Sequence, residues 1–148
     1  MIPEPLSIGL LGPAVHKQLK QMRWEQMGKK ILIVDDSKTI RQQASFFLSR
    51  GGFPVVEAEN GQVALQKLLV HPDVSLILSD IDMPVMAGKE LLEQLQKNPA
   101  NALIPVIMLT AEGAKDQIEL ARKCGAKGWL AKPFKPEILI AAISKIAR

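Results

Sequence analysis

Three carboxylates, a hydroxyl and an ammonium stand at corresponding places along this chain. Asp35 and Asp36 follow the apolar run Ile31-Leu-Ile-Val34. Asp80 follows Ile77-Leu-Ser79, Thr110 follows Val106-Ile-Met-Leu109, and Lys132 stands just before Pro133. If those runs are strands of one parallel sheet, their carboxyl ends share an edge, and positions 35 to 132 meet in one crevice. Carboxylates crowded where the dielectric is reduced repel one another, so something positive must compensate. Lys132 supplies one charge. A hard divalent cation, Mg²⁺ or Mn²⁺, would supply the rest, held by one or two carboxylates, a backbone carbonyl and water.

Beside such a cation, the Asp80 carboxylate can attack a phosphoryl group and form an acyl phosphate. The transition state spreads charge over three equatorial oxygens, so the protein mainly positions and neutralises. The cation can take one oxygen, Lys132 a second, and the Thr110 hydroxyl with nearby backbone amides the third. An ionised carboxylate is already a nucleophile, so no general base is needed. Each residue alone has a plainer role: an Asp after a strand usually caps a turn or helix, and Thr110 could merely begin a loop. The joint placement carries the inference.

The elements that must position these groups are legible from residue 29 onward. Residues 31–34 form a β-branched and leucine run too short for a helix and apolar on both faces, as in a strand covered by helices on both sides. Ser37 offers an N-cap, and Ile40, Ala44, Phe47 and Leu48 recur at helical spacing until Gly51 and Gly52. Strands are expected over 55–58, 74–78, 105–109 and 128–131 as well. Helices are expected after Asn60-Gly61, carrying Val63, Ala64, Leu65, Leu68 and Leu69, over about 88–97, and over 116–124. A last helix starts at Pro136, with Ile138, Leu139, Ala142, Ile143 and Ile146 as its apolar face. Five βα units imply an α/β fold: a doubly wound five-stranded parallel sheet with five helices, strand order 2-1-3-4-5. Its ligand crevice should lie beyond the carboxyl ends of the strands, at the switch point beside the first.

The 148 residues favour one core-bearing domain, and 47% apolar with 23% charged residues is ordinary for a globular protein. A net charge of +4 without a dense Lys/Arg run argues against a nucleic-acid partner. Cys124 is the one cysteine, which excludes an internal disulfide and fits a reducing, cytoplasmic setting; it is expected as a small buried hydrophobe near a helix end. No apolar stretch approaches a membrane span, and no secretory signal is evident. Residues 1–28 depart from the pattern. Pro3, Pro5, Gly9, Gly12 and Pro13 argue for a disordered or loosely packed extension, with a short amphipathic helix over 14–27 as the alternative. Residues 29–148 are expected to form the domain.

Val34-Asp-Asp-Ser37, Asp80-Ile-Asp-Met-Pro84, Gly88, Leu109-Thr-Ala111 and Lys132-Pro-Phe134 together resemble the receiver domain of two-component response regulators, with its flavodoxin-like fold. The resemblance covers about four-fifths of the chain. It implies that Asp80 accepts a phosphoryl group from the phosphohistidine of a sensor histidine kinase. It implies direct Mg²⁺ coordination by Asp36, a largely water-mediated role for Asp35, and a backbone carbonyl ligand from Asp82. Thr110 and Lys132 would contact phosphoryl oxygens, and the Lys132–Pro133 bond would be cis. Trp129 holds the position of the family's switch aromatic, where many relatives carry Tyr or Phe. Asp82 and Glu112 hold positions that tune acyl-phosphate lifetime. Ala87 departs from the family, where many relatives carry Asp.

Sixteen residues follow Lys132, room for one helix, so output is expected through docking of the domain's own surface. The segment from Gly128 to Glu137 looks most like single-domain chemotaxis regulators, which implies a downstream protein target such as a flagellar motor switch, and a phosphatase. Lys115, Arg122, Lys123, Lys127 and Lys135 could make the output face basic. A phosphorelay intermediate, a twitching-type regulator and a phosphorylation-independent scaffold are the alternatives. An aspartyl-phosphate phosphatase is disfavoured, because that family places its Asp-x-Asp after the first strand and follows it with Thr. The protein is therefore expected to be a phosphoacceptor that catalyses only its own phosphotransfer and dephosphorylation.

Overall fold

A computed structural model of the protein describes residues 28–148. Expectations for the N-terminal extension, apart from Gly28, lie outside the described residues. Among the described residues five strands alternate with five helices. They are β1 (Lys30–Val34), α1 (Lys38–Arg50), β2 (Val55–Ala58), α2 (Gly61–Val70), β3 (Val74–Asp80), α3 (Gly88–Lys97), β4 (Val106–Ala111), α4 (Lys115–Lys123), β5 (Gly128–Lys132) and α5 (Pro136–Ile146). All strand pairs are parallel, in the order β2-β1-β3-β4-β5.

Alternation along the strands divides the core into two. Leu32, Val34, Ile77 and Met108 face α2, α3 and α4 through Ala64, Leu68, Leu91, Leu95 and Ala121. Ile31, Ile33, Leu78 and Leu109 face α1 and α5 through Ala44, Leu48, Leu139 and Ile143. Both faces of the central strands are covered, which is why their sequences read as continuous apolar runs. Helix starts follow local chemistry: Ser37 Oγ accepts the Ile40 N–H, and Asn60 Oδ1 accepts the Val63 N–H. Gly52, at φ 94°, turns the chain out of α1.

Two inward assignments differ from the sequence pattern. Ile138 is about half exposed, because α5 turns a narrower stripe to the sheet than its apolar content suggests. Cys124 is half-buried at the C-cap of α4. β3, β4 and β5 also run on further than their apolar cores. Asp80 and Lys132 are the last residues of their strands, and Thr110 is the last but one of β4, so all three are held by the sheet ladder itself. Among the described residues, no helix is long and apolar enough to cross a membrane.

Candidate functional site

The carboxyl ends of β1, β3, β4 and β5 bring the chemistry-bearing residues together. Asp35, Asp36 and Asp80 each offer a carboxylate oxygen within 4.8 Å of the others. The Lys132 ammonium stands 3.0 Å from Asp35 Oδ2 and 3.2 Å from Asp80 Oδ1. Register explains the reach. Asp80 pairs with Leu109, which pairs with Leu130, so Lys132 is anchored two residues farther along the edge and its long stem folds back over the carboxylates.

The acidic wall is tightly built. Asp35 is wholly buried, whereas Asp36 is exposed. The Asp35 N–H donates to Ala58 O at 3.1 Å, and its Oδ1 accepts the Ser37 N–H at 2.9 Å, an Asx turn that launches α1. Arg41, one turn into α1, donates from Nη1 to the Asp35 carbonyl at 2.6 Å and pairs with Glu57 at 3.3 Å. The loop after β3 is equally constrained. Gly88 N–H donates to Ile81 O, and a Cβ on Gly88 would lie 2.8 Å from Asp80 O, so only glycine lets α3 start so close to the Asp80 backbone. Ala87, the N-cap of α3, provides no side-chain cap. In the same loop Val85 is held at φ 70°, a conformation costly for a β-branched residue, between the Met86 N–H to Pro84 O bond and the Gly61 N–H to Met86 O bond.

Burial and the Asp35 charge push the Asp80 carboxyl up to about 6 from an ordinary 3.8, against the pull of Lys132. Burial works against the Lys132 charge, yet the adjacent Asp35 carboxylate and the Asp80 charge outweigh this and raise its pKa above the ordinary 10.5. One ammonium does not neutralise three carboxylates. The buried Asp35 Oδ2 accepts no aligned hydrogen bond among the described residues, so its attraction to Lys132 is ionic only. An under-neutralised all-oxygen cluster with such an oxygen fits a hard divalent cation.

The opposite wall is looser. Thr110 is buried, and its hydroxyl turns to the Leu130 carbonyl at 3.5 Å, the limit of a hydrogen bond. Trp129 is 39% exposed, and its partner in β4 is Met108, two residues before Thr110. Trp129 and Thr110 therefore stand on the same face of the sheet. Asp82 and Glu112 are exposed on the rim, and the Asp82 N–H stands 3.5 Å from Asp80 Oδ1. The Lys132–Pro133 peptide bond is cis. Two residues bear on the site without having been singled out from the sequence: Arg41, and Gln117 in the first turn of α4. Gln117 accepts the Ala111 N–H at 2.7 Å and donates to Asp82 Oδ2 at 2.6 Å. Both lie on helices away from the strand-end runs, and no sequence signal pointed to them.

An acidic cluster faced by a lysine beyond the strand ends of a doubly wound sheet lies where ligands bind in this class of α/β protein. Sequence comparison narrows the class: the profile of the response regulator receiver domain matches residues 31–144, and the chain belongs to that family. Receiver domains are phosphoacceptor signalling modules that bind Mg²⁺ at an acidic pocket. The chain is 39% identical over 111 residues to the chemotaxis protein CheY1 of Helicobacter pylori, covering 74% of this chain and 90% of that protein. It is 38% identical over 122 residues to the phosphate regulon transcriptional regulatory protein PhoB of Pseudomonas aeruginosa, covering 82% of this chain but 53% of the relative. Among solved structures, chemotaxis protein CheY4 of Vibrio cholerae superimposes with a TM-score of 0.74 at 36% identity, over 80% of this chain and 98% of that one.

Proposed function

We propose that residues 29–148 form a receiver that accepts a phosphoryl group on Asp80 from the phosphohistidine of a sensor histidine kinase. One observation carries this: three carboxylates within 4.8 Å of one another, two of them touched by a single lysine. Asp35, Asp36 and Asp80, with the Asp82 carbonyl, would hold Mg²⁺ or Mn²⁺, which supplies the charge neutralisation that lets the dianionic donor approach. Asp80 attacks phosphorus, the new P–O bond forms, and the P–N bond breaks with its electron pair returning to the imidazole. Lys132 neutralises a phosphoryl oxygen, and Thr110 turns from Leu130 O towards another. Asp82 and Glu112 stand on the rim, where carboxylates would orient or repel the water that later hydrolyses the acyl phosphate.

Output runs through docking of the domain surface on a protein target, in chemotaxis or motility. The similarity to chemotaxis proteins in both sequence and solved structure supports this pathway. Trp129 would report the switch by population shift as Thr110 moves. On a Trp24→Phe background, Trp129 fluorescence should change with a small phosphodonor and Mg²⁺.

The deciding experiment is phosphotransfer from the candidate kinases of the source organism to the wild type and to Asp80→Asn. The wild type should label only with a divalent cation present, and Asp80→Asn should not label. Residual stoichiometric labelling of the variant would mean that another residue is the nucleophile.

A further inference from the structure

Gln117 spans the mouth of the crevice. It is the third residue of α4, whose N-cap, Ala114, offers no side-chain cap. In a capping box the side chain at this position reaches back to the N-cap amide. Here Gln117 reaches further, to the Ala111 N–H at the end of β4, and its other end binds Asp82 beyond β3. The amide orientation follows from chemistry, because a backbone N–H can only donate and a carboxylate can only accept. At 2.7 and 2.6 Å both bonds are short, and one has an ionised partner.

The Ala111 amide directly follows Thr110 at the end of β4, a backbone donor that could join its hydroxyl on the third phosphoryl oxygen. In this structure both donors are turned elsewhere, Thr110 to Leu130 O and Ala111 to Gln117. Resting on the phosphoacceptor reading of Asp80, we propose that Gln117 is a positioning residue: a latch that holds the Ala111 amide out of the phosphoryl site and ties α4 to Asp82. Phosphorylation then requires that the latch release, which couples the chemistry on Asp80 to the position of the first turn of α4.

The test compares the full chain with Gln117→Met, which removes both bonds, and Gln117→Glu, which keeps a stronger acceptor for Ala111 but cannot donate to Asp82. Labelling by phosphoramidate with Mg²⁺ is followed by intact mass, at about 0.5 M salt, where exposed charges are screened within a few ångströms. Gln117→Met should raise the limiting labelling rate about five-fold, the value of one lost hydrogen bond, with the half-saturating donor concentration unchanged. Gln117→Glu should lower the limiting rate below wild type. Hydrogen exchange at Ala111 should quicken in Gln117→Met and not in Gln117→Glu. A general loosening of α4 would move both variants in one direction. Equal rates in all three proteins, or shifts of the same sign, overturn the latch while leaving the nucleophile intact. Absence of an Asp80 adduct in all three overturns the phosphoacceptor reading and the latch with it.

Discussion

The two walls of the crevice are built to different standards. On the β1–β3 side, Asp35 is wholly buried, its carbonyl is held by Arg41 at 2.6 Å and its carboxylate by the Ser37 amide at 2.9 Å. On the β4–β5 side, Thr110 makes one contact at 3.5 Å, Trp129 is exposed, and β5 is an edge strand whose residues are all partly or fully exposed. On the proposed reading, the rigid wall would keep the cation ligands in place before any ligand arrives. The looser wall can rearrange at little cost, so that is where a phosphoryl group would do work on the surface. Lys132 is the one residue that ion-pairs across the two walls among the described residues.

The two walls depend most on Lys132. Lys132→Met leaves two neighbouring, largely buried carboxylates without their cation and should cost about 3 kcal/mol in urea unfolding at pH 7 without divalent metal. The Lys132 pKa is raised in the fold, so its contribution is complete below pH 10.5 and is lost as pH rises through the folded value. The gap between wild type and variant should narrow there. A loss under about 0.5 kcal/mol at pH 7 would show the pair to be a mere surface contact.

Asp80→Asn should act in the opposite direction, stabilising the metal-free fold by about 2 kcal/mol above pH 6. The Asp80 carboxyl titrates near 6 in the fold against 3.8 ordinarily, so the native state holds the proton more tightly. Wild type therefore loses stability as pH rises from about 4 to 6, and Asn does not. Thermal melts at pH 4 and pH 7 check this; a gain that is the same at both pH values would contradict it.

Smaller effects separate the walls directly. Arg41→Ala frees the Asp35 carbonyl and should cost about 1.5 kcal/mol, with weaker Mg²⁺ binding by titration. Unchanged metal affinity would show that the acidic wall holds its shape without α1. Thr110→Val should change stability by less than about 0.5 kcal/mol, because the lost contact is marginal, yet it should slow labelling of Asp80. A large stability loss there would mean that the β4–β5 wall is as firmly bonded as its opposite.

Asp80, Thr110 and Lys132 were legible because continuous apolar runs mark buried parallel strands, and in a parallel sheet those runs end on one edge. The strand order followed from right-handed crossovers and from helices on both faces. The same periodicity misplaced Ile138, because it counts apolar residues on a helix without knowing how wide a stripe the sheet accepts. Arg41 and Gln117 were not legible at all. Their partners are a backbone carbonyl six residues earlier, and an amide six residues earlier joined with a carboxylate 35 residues away. No local pattern encodes such bonds.

By itself, then, the chain's order of residues determined the sheet, its polarity and the identity of the groups at its carboxyl edge, because β-branched runs and punctuating glycines and prolines act over a few neighbours. Tertiary structure alone decided that Lys132 folds back over Asp35 and Asp80, that the acidic wall is held rigid by α1, and that Gln117 closes the other side. Those outcomes depend on side-chain reach across strands and helices, where a difference of two residues in register changes which atoms meet.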